Sequence, residues 1–238
     1  MDGDSAHRRP MDGLSLLQGI RFIDTFFPSG GYAFSSGLEA AVQDGAVRNA
    51  DDLSVYVKDL LMNAAATCEA IAVARAQGAG SKDDLSAAVE TDGELDAMKI
   101  GRGVRLASRQ MGRRVIRVAC EQTEAKAILR SYLAAVETDQ APGHLAVGLG
   151  LTLGTCGWTC EQAVAAYLYQ MVIGFVSAAM KLLPIGQREG QRLLEGWLPH
   201  IARISRDIRP DSRMAAWAPV QDIYGMRHGR LEWRLFRS

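Results

Sequence analysis

Residues 26–40 read FFPSGGYAFSSGLEA, and the reading of this stretch decides both the fold and whether the chain does chemistry. A phosphate loop needs its glycines followed by Lys and Ser or Thr, because backbone amides and the lysine together hold the phosphates. No lysine lies between Arg21 and Lys58. Ala33-x-Ser35-x-Gly37 approximates the Gly-x-Ser-x-Gly nucleophile elbow, which needs a strand in front of it to present the serine. The residues in front here have helical spacing and end in a Pro-Ser-Gly-Gly turn. A hydrolase using Ser35 or Ser36 is therefore the alternative reading. Its base would come from His144, His200 or His228, none tied to the serine by spacing. What the stretch does encode is a change of direction. Pro28 disfavours helix at Phe27, and Gly30 and Gly31 accept a positive φ. Ser36-Gly37-Leu38-Glu39 predicts a capping box, with the Ser36 hydroxyl on the Glu39 amide. Tyr32 and Phe34 sit on the resulting helix-turn-helix corner.

Working outward, the apolar spacing is helical almost everywhere. Leu14, Leu17, Ile20 and Ile23 recur every three residues. Leu53, Tyr56, Val57, Leu60, Leu61 and Ala64 follow three-four spacing within 51–77. Gly78 to Gly80 predict a loop, with Ser81 capping the next helix. Leu194, Trp197, Leu198 and Ile201 form one stripe. Gly150-x-x-x-Gly154 would let two helices approach closely. No segment alternates with period two. The chain reads as all-α: a single-domain helical bundle of roughly eight to ten helices over residues 13–212. A polar tail, 1–12, is expected to be disordered and opens no apolar run of a secretory signal. Residues 213–238 form a separate C-terminal segment.

Hydrophobic residues make up 48% of the 238, and 27 basic residues balance 27 acidic ones, so net charge selects neither nucleic acid nor an anionic membrane. Arg102, Arg105, Arg109, Arg113 and Arg117 line one face of a helix expected over 95–119. That face raises a nucleic-acid reading, but no aromatics interleave it, and pairing with neighbouring acids or a protein partner is preferred. Residues 162–180 carry no charge and approach bilayer length. Gln170 and Ser177 within them favour a buried central helix over a membrane span. Cys68, Cys120, Cys156 and Cys160 make no C-x-x-C pair. Cys156 and Cys160, four apart, are read as small buried residues on one helix face. Reduced thiols and the polar start point to the cytoplasm.

The blocks LLQGIRFIDTFFPSGGYAFSSGLEAAV, VRLASRQMGRRVIRV, GHLAVGLGLTLG, SAAMKLLPIGQREGQRLL and MRHGRLEWRLFRS resemble, in order, the UreF family of urease accessory proteins. Two departures stand out: Phe34, where many members carry His or Tyr, and Glu232-Trp233 in place of Tyr-Ser. The resemblance implies an all-α homodimer without catalytic activity or cofactor. It implies a complex with UreD (UreH in some organisms) and the GTPase UreG that delivers nickel to apo-urease, UreF bridging the other two. It places partner contacts at Lys181, Gln187 and Gln191, and nickel would be handled through the complex. Tyr32 and Phe34 join that face, and the homodimer would use the apolar helix near 164–180 and the adjoining GQREGQRLLEGW face.

Residues 213–238 mix Trp217, Tyr224, Trp233, Leu235 and Phe236 with Arg213, Arg227, Arg230, Arg234 and Arg237. This composition suits folding onto a partner better than folding on its own domain. The segment is expected to be mobile alone and ordered on UreD, through Arg227, Trp233, Arg234, Leu235 and Phe236.

Overall fold

Asp12 opens the first helix, its carboxylate accepting the Ser15 amide at 2.9 Å. In the computed structural model, which describes residues 12–121 and 126–237, the expected N-terminal tail lies outside the described residues apart from Asp12. Helix α1 (Gly13–Ile23) leads through a 3-10 turn (Gly31–Ala33) into α2 (Leu38–Gln43). Next come α3 (Ala50–Leu60), a π-helical segment (Leu61–Glu69) and α4 (Ala70–Lys82), wound as one continuous rod. The remaining helices are α5 (Leu85–Met98), α6 (Arg102–Cys120), α7 (Ala127–Glu137), α8 (Leu145–Thr155), α9 (Cys160–Leu182), α10 (Gln187–Asp207) and α11 (Pro219–His228). With the rod counted once, the described residues form ten helices and no strand.

The centre of the bundle is α4 against α8. Both helices are small-residue rich, and a Cβ on Gly80 would stand 2.4 Å from the Leu151 carbonyl oxygen. On Gly150 and Gly154 it would stand 2.6 Å and 2.3 Å from the carbonyls of Val73 and Gln77. The two backbones therefore touch, as the four-residue glycine spacing implied. Gly78 to Gly80 are not a loop: they lie inside α4, and Asp84, not Ser81, caps α5 by accepting the Ala87 amide at 3.0 Å. Thr159 and Gln162 form a capping box at the start of α9. Leu183 and Pro184 end α9, since the residue before proline is pushed out of the helical region. Cys156 closes α8 while Cys160 begins α9, so the two do not share a helix face.

Helix α9 is long and apolar enough to cross a membrane, with mean hydropathy 1.6. In the fold its Val164, Leu168, Val172, Phe175 and Val176 are buried among α4, α8 and α10, as a central core helix requires. The apolar face expected to form a homodimer is therefore largely spent inside the chain. Tyr169 and Met180 remain exposed on α9, and Leu198 on α10.

The helix expected over 95–119 is two helices, broken at 99–101. Lys99 leaves α5 in extended geometry and its ammonium meets Glu69 Oε1 at 2.6 Å. The arginine face of α6 is largely engaged within the fold. Arg109 pairs with Asp96, Arg117 with Glu137, and Arg113 donates to the Val136 carbonyl; Arg114, beside that face, donates to the Ser29 carbonyl.

Candidate functional site

Phe22 and Phe27 meet at 5.2 Å between ring centroids, their planes tilted by 50°, and anchor the end of α1. The chain then turns at Gly30, with φ of 76°, and at Ser36 and Gly37, with φ of 52° and 86°. A Cβ on Gly37 would sit 2.7 Å from the backbone nitrogen of Gly225 in α11. Only glycine satisfies both the left-handed backbone and the approach of α11. Ser36 does not cap α2, whose N-cap is Gly37 and receives no side-chain bond. The capping box expected at Ser36–Glu39 is thus absent, because Glu39 is engaged elsewhere.

Glu39 faces inward and is 1% exposed. Its carboxylate accepts the Leu235 amide at 2.6 Å and the Phe236 amide at 3.2 Å, and meets His228 Nε2 at 2.8 Å. Around it, Gln43 Nε2 donates to the Trp233 carbonyl and the Arg237 amide donates to the Ala33 carbonyl. Tyr224 Oη and Arg227 both donate to Asp44 Oδ2, at 2.8 Å and 3.1 Å. The Lys181 ammonium lies over the Phe236 ring, 5.2 Å from its centroid. The segment expected over 213–238 to lie free until a partner arrives is instead docked over its described residues, with 233–237 laid along the opening loop and α2. Its backbone amides and the buried Met214, Tyr224, His228 and Phe236 do the work that its overall composition disguised.

The opening loop and the C-terminal segment thus make one face. Tyr32, Trp233 and Leu235 project from it at 77%, 83% and 73% exposure. Phe34 is half-buried, Arg227 and Arg234 are exposed, and Phe236 is buried under Lys181. Of the expected contact residues, Tyr32, Phe34, Lys181, Arg227, Trp233, Arg234, Leu235 and Phe236 gather around this seam. Gln187 and Gln191 belong to a shallow cleft of ≈ 460 Å³ on α10, with Arg188, Arg192 and Glu195. Sequence reasoning missed Glu39 and His228 as the organising pair. The available signal was a carboxylate flanked by Leu38, Ala40 and Ala41 on a short helix whose first four residues are all buried.

The serine reading finds no support in this geometry. Ser35 is buried and engaged within the fold, and helix α1 with a turn, rather than a strand, precedes it. A second polar cluster does align serine, histidine and aspartate. Ser108 Oγ lies 3.0 Å from His144 Nδ1, and His144 Nε2 lies 2.9 Å from Asp96 Oδ1. Burial pulls the imidazole down to about 4 against the opposing pull of Asp96, so it is neutral at pH 7. Asp96 then accepts from Nε2–H, and Nδ1 accepts the Ser108 hydroxyl proton. Ser108 Oγ also accepts the Leu145 amide, and Asp92 accepts the amides of Gly143 and His144 and the Tyr132 hydroxyl. Ser108, His144 and Asp92 are all buried; the cluster fastens the start of α8 to α5, α6 and α7. Among the described residues, no group of three or more His, Cys, Asp or Glu could hold a metal ion.

A family model described as UreF matches residues 47–197. The chain is 32% identical over 229 residues to a urease accessory protein UreF of Bacillus sp. (strain TB-90), covering 94% of this chain and 99% of that one. It is 28% identical over 236 residues to a urease accessory protein UreF 2 of Brucella canis, covering 98% and 96%. It is also 28% identical over 233 residues to a urease accessory protein UreF of Methylobacterium radiotolerans, covering 96% and 99%.

Proposed function

Because the chain belongs to the UreF family of urease accessory proteins, we propose that it is a non-catalytic cytoplasmic scaffold joining UreD (or UreH) to the GTPase UreG. Nickel is the cargo of that complex and apo-urease its destination. The observation that supports the reading is the face formed by the opening loop and the C-terminal segment. It holds Tyr32, Trp233 and Leu235 exposed on a backbone fixed by Glu39. Large aromatic and aliphatic side chains held out on an ordered backbone bind partners at low ordering cost. We assign this face, with Phe34, Arg227, Arg234 and the outer edge of Phe236, to UreD. Lys181, Gln187 and Gln191 we assign to UreG. A homodimer would use the outward side of α10 with Tyr169, Met180 and Leu198. The chain would touch nickel only through the complex.

The test is co-purification with UreD of the wild-type chain and of the double variant Trp233→Ala, Leu235→Ala. Both side chains are largely exposed, so the variant keeps its melting temperature. Loss of UreD with the fold intact supports the assignment; undiminished UreD recovery overturns it. Lys181→Ala, assayed for UreG recruitment by the preformed UreD complex, tests the second face in the same way.

A further inference from the structure

A cleft of ≈ 490 Å³ has α6 as one wall and the loop joining α7 to α8 as the other. On α6 it is lined by Leu106, Arg109, Gln110 and Arg113, at the three-four spacing that puts side chains on one helix face. The facing wall carries Asp139, Ala141 and Pro142. Both walls are fixed in advance. Arg109 is held by Asp96 Oδ1, which accepts from Nε at 2.9 Å and from Nη2 at 2.5 Å. Arg113 Nη2 donates to the Val136 carbonyl at 3.1 Å, near the end of α7. The loop closes on that same end. The amides of Gln140 and Ala141 both donate to the Ala135 carbonyl, and Asp139 sits in left-handed geometry with φ of 56°. The lining carries none of the residues assigned above to a partner.

The charges in the cleft do not satisfy one another. Arg109 and Asp96 form an ion pair and cancel. That leaves the Arg113 cation on one wall and the Asp139 anion on the other. Both are exposed, and among the described residues no ion pair joins them. The rest of the lining is the Gln110 amide and the apolar surface of Leu106, Ala141 and Pro142. Opposite charges that sum to zero, beside an apolar surface, match a ligand that is neutral overall and carries both signs. A polyanion finds no net positive potential here, and an uncharged apolar ligand leaves both charges unmet. We propose that this cleft binds a free α-amino acid with an apolar side chain. Its carboxylate takes N–H groups of Arg109 and Arg113, its ammonium meets Asp139, and its side chain covers Leu106 and Pro142. Arg109 Nη1 and Arg113 Nε and Nη1 make no hydrogen bond among the described residues, so donors remain for both carboxylate oxygens. Protein contacts already order both guanidinium groups, which spares the ligand that entropic cost. The volume is that of a small-molecule site.

NMR titration of the full chain tests this, with L-leucine as the probe and two analogues, isocaproate lacking the ammonium and L-leucinamide lacking the carboxylate. The expected result is saturable shifts of the amide signals of 106–113 and 138–142, with a dissociation constant on the order of 1 mM and binding about tenfold weaker for each analogue. Either analogue binding as tightly as L-leucine overturns the proposal, as does the absence of saturable shifts with L-leucine. Asp139→Asn removes the partner of the ammonium and keeps the left-handed backbone, which Asn tolerates. Arg113→Gln removes donors to the carboxylate. Each is expected to weaken L-leucine about tenfold with the melting temperature unchanged. Arg102→Gln, exposed on the same helix but outside the cleft, should bind as the wild type does. Equal losses in Arg102→Gln and Arg113→Gln would mean diffuse charge attraction and overturn the site. Should Arg113→Gln lower the melting temperature, Asp139→Asn decides, and wild-type affinity there overturns the proposal.

Discussion

Glu39 and His228 lie 2.8 Å apart, both 1% exposed, although 189 positions separate them in sequence. A buried carboxylate is tolerated only when its lone pairs are occupied, and here a ring nitrogen and two tail amides occupy them. The pair is the mechanical link between the opening loop and the C-terminal segment.

Replacing the carboxylate is expected to release the tail. Glu39→Ala leaves a buried imidazole and two amides without their acceptor, at about 1–3 kcal/mol for each donor left buried and unpaired. Glu39→Gln keeps the shape but turns one acceptor into a donor, for about 2 kcal/mol. Urea denaturation gives both values, and hydrogen exchange in 231–237 should accelerate in the same order. Equal midpoints for wild type and Glu39→Ala would refute the latch.

Truncation after Arg230 should lower stability, contrary to what the composition of the segment suggests. It removes the buried Phe236 ring and the bonds to Glu39, Ala33 and Gln43. The ring alone contributes about 1.5–3 kcal/mol, and about 2–4 °C of melting temperature accompanies each kcal/mol in a chain of this size. A fall of about 5–10 °C is expected by scanning calorimetry. An unchanged melting temperature would mean that the segment is not docked in solution.

Gly37→Ala should cost about 2 kcal/mol or more. The left-handed backbone accounts for about 1–2 kcal/mol of this, and displacement of α11 at Gly225 for the rest. The signature is a lower urea midpoint with loss of protection in α11, whereas Gly45→Ala keeps α11 protected, because a Cβ there meets nothing.

Acidification tests the interior cluster. His144 is held neutral down to about 4 by burial, with the cations of Lys99 and Arg109 adding to the effect and Asp96 opposing it. The unfolded chain takes up this proton near 6.5. Between those values the unfolded state binds more protons, so stability falls as pH falls from 6.5 to 4, by up to about 3 kcal/mol. Asp92 acts in the opposite sense, since burial raises its carboxyl and native protonation then favours the fold. Comparing wild type with His144→Gln isolates the histidine: the gap between them should narrow on acidification, and a gap independent of pH would refute the assignment.

The all-α bundle was legible because helical spacing and the Pro28–Gly31 turn are local properties of the chain. The α4–α8 contact was half legible: Gly150 and Gly154 lie four apart, but Gly80 looked like part of a loop until α8 lay against it. The sequence motif at Ser36–Glu39 has the same form as the genuine capping box at Thr159–Gln162. What separates them is tertiary, since Glu39 is taken by the tail. The same blindness hid the break at 99–101, where Lys99 leaves its helix for Glu69, and the docking of 214–237. There, unsided composition counted five arginines against five apolar groups, while attachment rests on backbone amides, His228 and the buried Met214, Tyr224 and Phe236.

The order in which the chain is made gives the Glu39 latch a further consequence. Glu39 emerges from the ribosome long before His228, which follows it by 189 positions, and before Leu235 and Phe236, which follow it still later. Until they emerge, the opening loop and α2 have no partner for this carboxylate and cannot reach their final packing. Domains that complete late expose apolar surface meanwhile, and here that surface includes Phe27 and Leu38. A product stalled or cleaved before residue 235 would carry this defect permanently, leaving an exposed opening loop for cellular quality control to recognise.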